Sequence, residues 1–177
     1  MTPDLTLFFR PEARGQLTLL TGPVGSGKTT LCTQLLAAAE HHNADVAGVY
    51  CPAVMQGKRK VGMDICLLPE KTCQRLGVER AQWQVQSLTP RWQMNEAALA
   101  WANAHLQALA ATDLLIIDEL GPLEFLGNQG LTAAFPLLDA RDYRQAVVVI
   151  RPDLLEQAQA RWPWARVMAL PVMESRA

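Results

Sequence analysis

Gly22-Pro23-Val24-Gly25-Ser26-Gly27-Lys28-Thr29 is the stretch that decides the fold. It satisfies G-x-x-x-x-G-K-[ST] at every required position. Upstream, Gln16 to Thr21 is rich in β-formers and predicts a strand. Downstream, Leu31, Leu35, Leu36 and Ala39 fall at helical spacing between Lys28 and Glu40, and His41-His42-Asn43 ends the pattern. A strand, a glycine loop and a helix in that order make a cradle for polyphosphate. Glycine allows positive φ, turns backbone N–H groups inward and puts no side chain in the way. The positive end of the helix dipole points at the same place. Gly22, Pro23, Val24, Gly25, Ser26, Gly27, Lys28, Thr29 and Thr30 are therefore expected to line the phosphates of a nucleotide. Lys28 would neutralise the β- and γ-phosphates, and the Thr29 hydroxyl would hold Mg²⁺.

Such a cradle needs an acid for the metal, usually at the tip of a neighbouring apolar strand. Leu114-Leu115-Ile116-Ile117 between Asp113 and Asp118 reads as a central parallel strand buried on both faces. Asp118 is the expected metal anchor, acting through water. Glu119 follows at once, placed to orient or deprotonate a water in line with the γ-phosphate, and this position argues for hydrolysis. Glu124, beyond Gly121-Pro122, reads equally as a further site residue or as part of a polar turn.

Working outward, Val46 to Tyr50 and Val61 to Leu68 read as strands around Gly57 and the triplet Lys58-Arg59-Lys60, most simply as a β-hairpin. Lys71 to Gly77 reads as a short helix and Gln84 to Leu88 as a short strand. Asn95 is expected to cap a helix with Leu99, Ala102, Leu106 and Leu109 on one face. Gln129 to Leu138 reads as helix, Ala146 to Ile150 as a buried strand stopped by Pro152, Asp153 to Arg161 as helix and Arg166 to Leu170 as a last strand. This alternation predicts an α/β, three-layer P-loop fold: a mostly parallel central sheet with an added β-hairpin, in one domain over residues 1–177. Ligands of such sheets bind at the carboxyl ends of the strands.

Composition narrows the function classes. Sixteen Lys plus Arg stand against seventeen Asp plus Glu, a net charge of −1, which argues against electrostatic binding to nucleic acid or anionic membrane. The apolar runs are far shorter than the roughly 20 residues of a membrane span, and Met1 to Pro11 lacks the pattern of a secretory signal. A cytoplasmic location is the expectation. Cys32, Cys51, Cys66 and Cys73 show no C-x-x-C pair and no zinc-ligand spacing, so free, partly buried thiols are expected. His41, His42 and His105 lack acids or cysteines at ligand spacing and read as helix-end or surface groups. The tryptophans read as anchors of core and loops; if one stacks on a base, Trp92 is the choice. Lys58-Arg59-Lys60 reads either as a solvated hairpin tip or as a charge-stabilising hand over the phosphates, with Arg59 the candidate catalytic group; Arg141, Arg144 and Arg151 read as surface groups or as alternatives to it that the sequence does not rank.

With these motifs placed, the chain resembles the small cancer-related and thermophile-type nucleoside triphosphatases, compact P-loop enzymes that hydrolyse several NTPs to diphosphates. The resemblance runs through Gly22 to Thr30, Val46-Ala47-Gly48-Val49-Tyr50, Gly57-Lys58-Arg59-Lys60-Val61-Gly62 and Asp118-Glu119-Leu120-Gly121-Pro122-Leu123-Glu124, in the family's order. It implies an Mg²⁺-dependent NTPase, acting on ATP, GTP or both, and Arg59 matches a family arginine. The departures are Cys51-Pro52-Ala53-Val54-Met55 in place of Thr-Glu-Glu-Val-Arg, Gly62-Met63 in place of Gly-Phe, and Ser175-Arg176 in place of Asn-Arg near the C-terminus. Two other functions fit the same cradle: a P-loop kinase, for which the sequence shows neither an arginine-rich lid nor an acceptor site unless Lys71 to Arg91 holds a lid, and a nucleotide-gated binding protein read by a protein partner.

Overall fold

A computed structural model describes residues 4–10 and 14–171. β1 (Gln16–Thr21) leads through the glycine loop into α1 (Lys28–His41), and β2 (Val46–Tyr50) follows. Then come β3 (Ala53–Gln56), β4 (Arg59–Leu68), β5 (Cys73–Glu79), β6 (Trp92–Met94), α2 (Glu96–Ala108), β7 (Thr112–Leu120) and α3 (Pro122–Gly127). α4 (Ala134–Ala140), β8 (Tyr143–Ile150), α5 (Leu155–Arg161) and β9 (Arg166–Ala169) complete the order. The strands share one sheet in the order β6-β5-β4-β2-β7-β8-β1-β9, with β3 also on β4. β2, β7, β8, β1 and β9 pair in parallel. β4 runs antiparallel to β2, and β3, β5 and β6 extend that antiparallel wing.

The expected α/β architecture is present: helices cover both faces of a sheet whose central strands are parallel. Leu115 and Ile117 join the core that also holds Ala98 and Leu106 of α2, Leu138 of α4 and Ala158 of α5. Leu114 and Ile116 point the other way, into the core with Leu31, Leu35 and Leu36 of α1. The two-residue period of a strand sends neighbours to opposite faces, so a run buried on both sides must be apolar throughout. Gly48 has φ +113°, and a Cβ there would lie 2.0 Å from the Ile116 carbonyl oxygen, so only glycine fits.

Five expectations are corrected. Lys71 to Gly77 is not helical: Lys71 takes a left-handed turn and β5 pairs with β4, placing Cys73 opposite Cys66. Those two cysteines are disulfide-bonded, so only Cys32 and Cys51 are free thiols. The pairing depends on cross-strand register, which spacing along the chain does not reveal. Gln84 to Leu88 is a turn-rich loop closed by Gln84 N–H on the Pro90 carbonyl, and the strand lies later, at β6. The helix expected from Gln129 begins only at Ala134, because Gly130 is left-handed and Leu131 N–H is taken by Glu124. Pro136 then falls in the first turn of α4, where a missing N–H removes no helical bond. The added hairpin is β3–β4 around Gly57, and β2 pairs with the far end of β4 through Gly48 and Leu68.

Candidate active site

The cradle closes where β1 ends. Gly27 caps α1 with φ 90° and offers no side-chain acceptor, so the first amides of a fourteen-residue helix are left for a ligand. Lys28 folds back over the loop: its Nζ donates to the carbonyls of Gly22 and Pro23 at 2.7 and 2.8 Å and lies 3.5 Å from Ser26 Oγ. Burial lowers the Lys28 ammonium pKa, while the charges of Glu119 and Asp118 act in the opposite direction. Ser26 is buried and Val24 fully exposed at the tip.

β7 delivers the acids through a break in register. Ile117 pairs with Val148 and Leu120 with Ile150, so two residues of β7, Asp118 and Glu119, stand against one of β8. A bulge of this kind re-aims side chains at a strand end. Asp118, 2% exposed, turns toward α1. Its Oδ1 accepts from the Thr29 hydroxyl at 3.4 Å and its Oδ2 from the Cys51 N–H at 3.3 Å. Burial pushes its carboxyl from 3.8 up to about 6, against the pull of the Cys51 N–H. Cys51 itself has a thiol raised well above its usual value, by burial first and then by Asp118 and Glu119, so it stays protonated and is no nucleophile.

Glu119 is exposed, yet crowding by protein around the strand tip raises its carboxyl; Arg151, then Lys28 and Lys60, oppose the rise. The structure therefore brings Lys28, Thr29, Asp118 and Glu119 to one place. It does not bring Arg59 there. The Arg59 guanidinium lies 2.5 Å from Glu79, which also takes Arg91, and Arg59 is 69% exposed. The cations whose charge bears on Glu119 are Arg151, Lys28 and Lys60. The triplet Lys58-Arg59-Lys60 thus acts on Glu119 through Lys60 and not through Arg59, and Arg151 stands out among the arginines that sequence alone does not rank. Their place becomes visible only once β4 and β8 are set on either side of β7 and β2. Trp92 is not open to a base on both faces, since Lys60 and Arg91 lie over its ring at 5.3 and 4.6 Å. Glu124 is a structural group: its two oxygens accept from the N–H groups of Gly121 and Leu131, both at 2.8 Å. Ser175 and Arg176 lie outside the described residues.

The donor set can be tested against a metal. Thr29 and Asp118 offer hard oxygen ligands, which suit Mg²⁺. Among the described residues no three His, Cys, Asp or Glu side chains gather into a cage. That fits an ion held by one or two protein oxygens with phosphates and water supplying the rest. No helix among the described residues is long and apolar enough to cross a membrane.

Comparison with known proteins extends the geometry. The family profile described as NTPase matches residues 18–160. Nucleoside-triphosphatase THEP1 of Methanopyrus kandleri is 32% identical over 123 residues, 69% of this chain and 67% of that protein. The cancer-related nucleoside-triphosphatase of Homo sapiens is 31% identical over 119 residues, 62% of each chain. A solution structure of a human cancer-related nucleoside triphosphatase shares the fold, with a TM-score of 0.65 at 22% identity over 90% of both chains. The matched span contains most of the glycine loop's strand, the loop itself and the Asp118-Glu119 tip, and the chain belongs to the nucleoside-triphosphatase family.

Proposed function

We propose that this chain, as a single domain, binds a nucleoside triphosphate together with Mg²⁺ and transfers the γ-phosphoryl group to water, releasing a nucleoside diphosphate and phosphate. The observation that carries this reading is the meeting of Thr29 and Asp118 beneath a lysine-bearing glycine loop, with Glu119 one residue on. Gly22 to Thr30 wrap the phosphates with backbone amides, and Lys28 exchanges its carbonyl partners for β- and γ-phosphate oxygens. Thr29 and Asp118 would hold the ion, which when bound neutralises charge between the β- and γ-phosphates. Glu119 is exposed to water and takes its proton as the new P–O bond forms; the raised carboxyl suits a base. ATP and GTP are the substrates to test first.

Glu119→Gln is the decisive variant. Phosphate release should fall about 10²- to 10⁴-fold while triphosphate affinity stays within about threefold. Turnover equal to that of the parent chain removes Glu119 from the mechanism. The kinase alternative needs free arginines in a lid over Lys71 to Arg91. Arg80 and Arg91 instead bond inward, Arg80 to the Trp92 carbonyl and Arg91 to Glu79 and the Lys60 carbonyl, which supports water as the acceptor.

A further inference from the structure

Hydrolysis of a triphosphate builds negative charge on the departing and transferring oxygens, and a guanidinium aimed at them can be worth about 10³- to 10⁵-fold in rate. Four features single out one arginine for that task. β8 lies between β7, which carries Asp118 and Glu119, and β1, which carries the glycine loop. Leu20 pairs with Val149 and Leu120 with Ile150, so continuing both registers brings the residue after Ile150 level with Gly22 on one side and with the turn after Glu119 on the other. Pro152 stops the strand at that point and fixes the backbone leaving it. Arg151 is therefore set between cradle and base, and its charge is felt at both Lys28 and Glu119.

Its present partner is weak. Arg151 meets Asp153 through Nε at 3.2 Å and through Nη2 at 3.3 Å, and both side chains are about half exposed, at 47% and 58%. A pair so open to solvent is easily exchanged for a more highly charged anion. Other arginines are held elsewhere: Arg59 and Arg91 meet on Glu79, and Arg144 pairs with Asp113 at the opposite end of β8.

We infer that Arg151 is a catalytic residue that leaves Asp153 and pairs with the γ-phosphoryl oxygens as the bond to the β-phosphate breaks. The inference rests on the hydrolytic reading above. In that step the water oxygen forms a bond to the γ-phosphorus, the bridging oxygen keeps the electron pair of the broken bond, and the water's proton passes to Glu119 and then to solvent. Arg151 exchanges no proton; it holds charge.

The test uses the full chain with Mg²⁺ and ATP or GTP, whichever the parent hydrolyses faster. Arg151→Ala should lower kcat at least about 100-fold, change diphosphate affinity less than about threefold, and weaken capture of diphosphate with aluminium fluoride at least about 30-fold. Arg151→Lys, which keeps the charge and loses the fork, should fall between. Arg144→Ala, on the same strand but at its other end, should match the parent. If Arg151→Ala loses its native unfolding transition, Arg151→Gln takes its place with the same expectations. A parent chain that releases no phosphate from any common NTP overturns both the reading and the inference. A parent that turns over, with an Arg151→Ala kcat within about threefold or with diphosphate affinity lost in step with kcat, overturns the inference alone.

Discussion

In the parallel half of the sheet, Leu114 to Ile117 of β7 and Ala146 to Ile150 of β8 are closed off from water between α1 and the opposite helix layer. In the antiparallel wing, β3 is buried nowhere along its length, and Met55 and Val78 stand exposed. The wing is tied by ion pairs instead, Arg59 and Arg91 on Glu79 and Arg75 on Asp64, together with the disulfide. Exposed pairs of this kind are worth about 0 to 1 kcal/mol each, whereas a buried aliphatic side chain is worth about 1.5 to 3. The contrast explains where the chemistry is placed. Groups that must hold position, Asp118 and the loop bearing Lys28, hang from strands fixed by packing. The wing contributes a charge, Lys60, from its innermost strand.

The contrast can be broken most severely at Gly48, where β2 meets β7. Gly48→Ala puts a methyl against the Ile116 carbonyl in a strained backbone conformation. It should lower the unfolding free energy by about 3 kcal/mol or more in urea titration. A loss below about 1 kcal/mol would show that the two strands can part without harm.

Asp118 sharpens the contrast with a smaller effect, as a charge inside the dry half. Its carboxyl rises from 3.8 to about 6, so the folded chain binds this proton more tightly than the unfolded chain does. Ionising it therefore opposes folding: stability falls as pH rises between about 4 and about 6, and the whole deficit is present above. Asp118→Asn should raise the stability of the nucleotide-free chain at pH 8 by about 2 to 3 kcal/mol and flatten its dependence below pH 6. Superimposable stability curves for the two proteins would refute it. The same variant should bind Mg²⁺-nucleotide poorly.

The smallest effect belongs to the wing. Arg59→Ala should cost less than about 1 kcal/mol in thermal unfolding, since its pair with Glu79 is exposed, and leave phosphate release within about threefold. A hundredfold fall in release would return Arg59 to the catalytic set.

Legibility followed the same division. Gln16 to Thr21 and Val46 to Tyr50 could be read from β-forming residues, the first leading straight into a glycine loop, and the β7 run because burial on both faces demands an unbroken apolar string. Lys28, Thr29, Asp118 and Glu119 could be read because phosphate and metal chemistry admits few residue types at those spacings. β5 could not: Cys73-Gln74-Arg75 is exposed, and only Leu76 and Gly77 face inward, too short a signal to tell strand from helix. Arg151 over Arg59 was equally hidden, because rank depended on which strand lies between the loop and the acids. Sequence supplies the candidates for a charge; topology selects among them.

The ammonium of Lys28 rests on the carbonyls of Gly22 and Pro23. An arriving triphosphate thus finds the loop already folded against a resident cation, and capture becomes an exchange of oxygen partners. Ordering a stretch so rich in glycine is entropically expensive, and much of that ordering was completed when the chain folded. Affinity then reports how well phosphate outcompetes two main-chain dipoles for a single lysine.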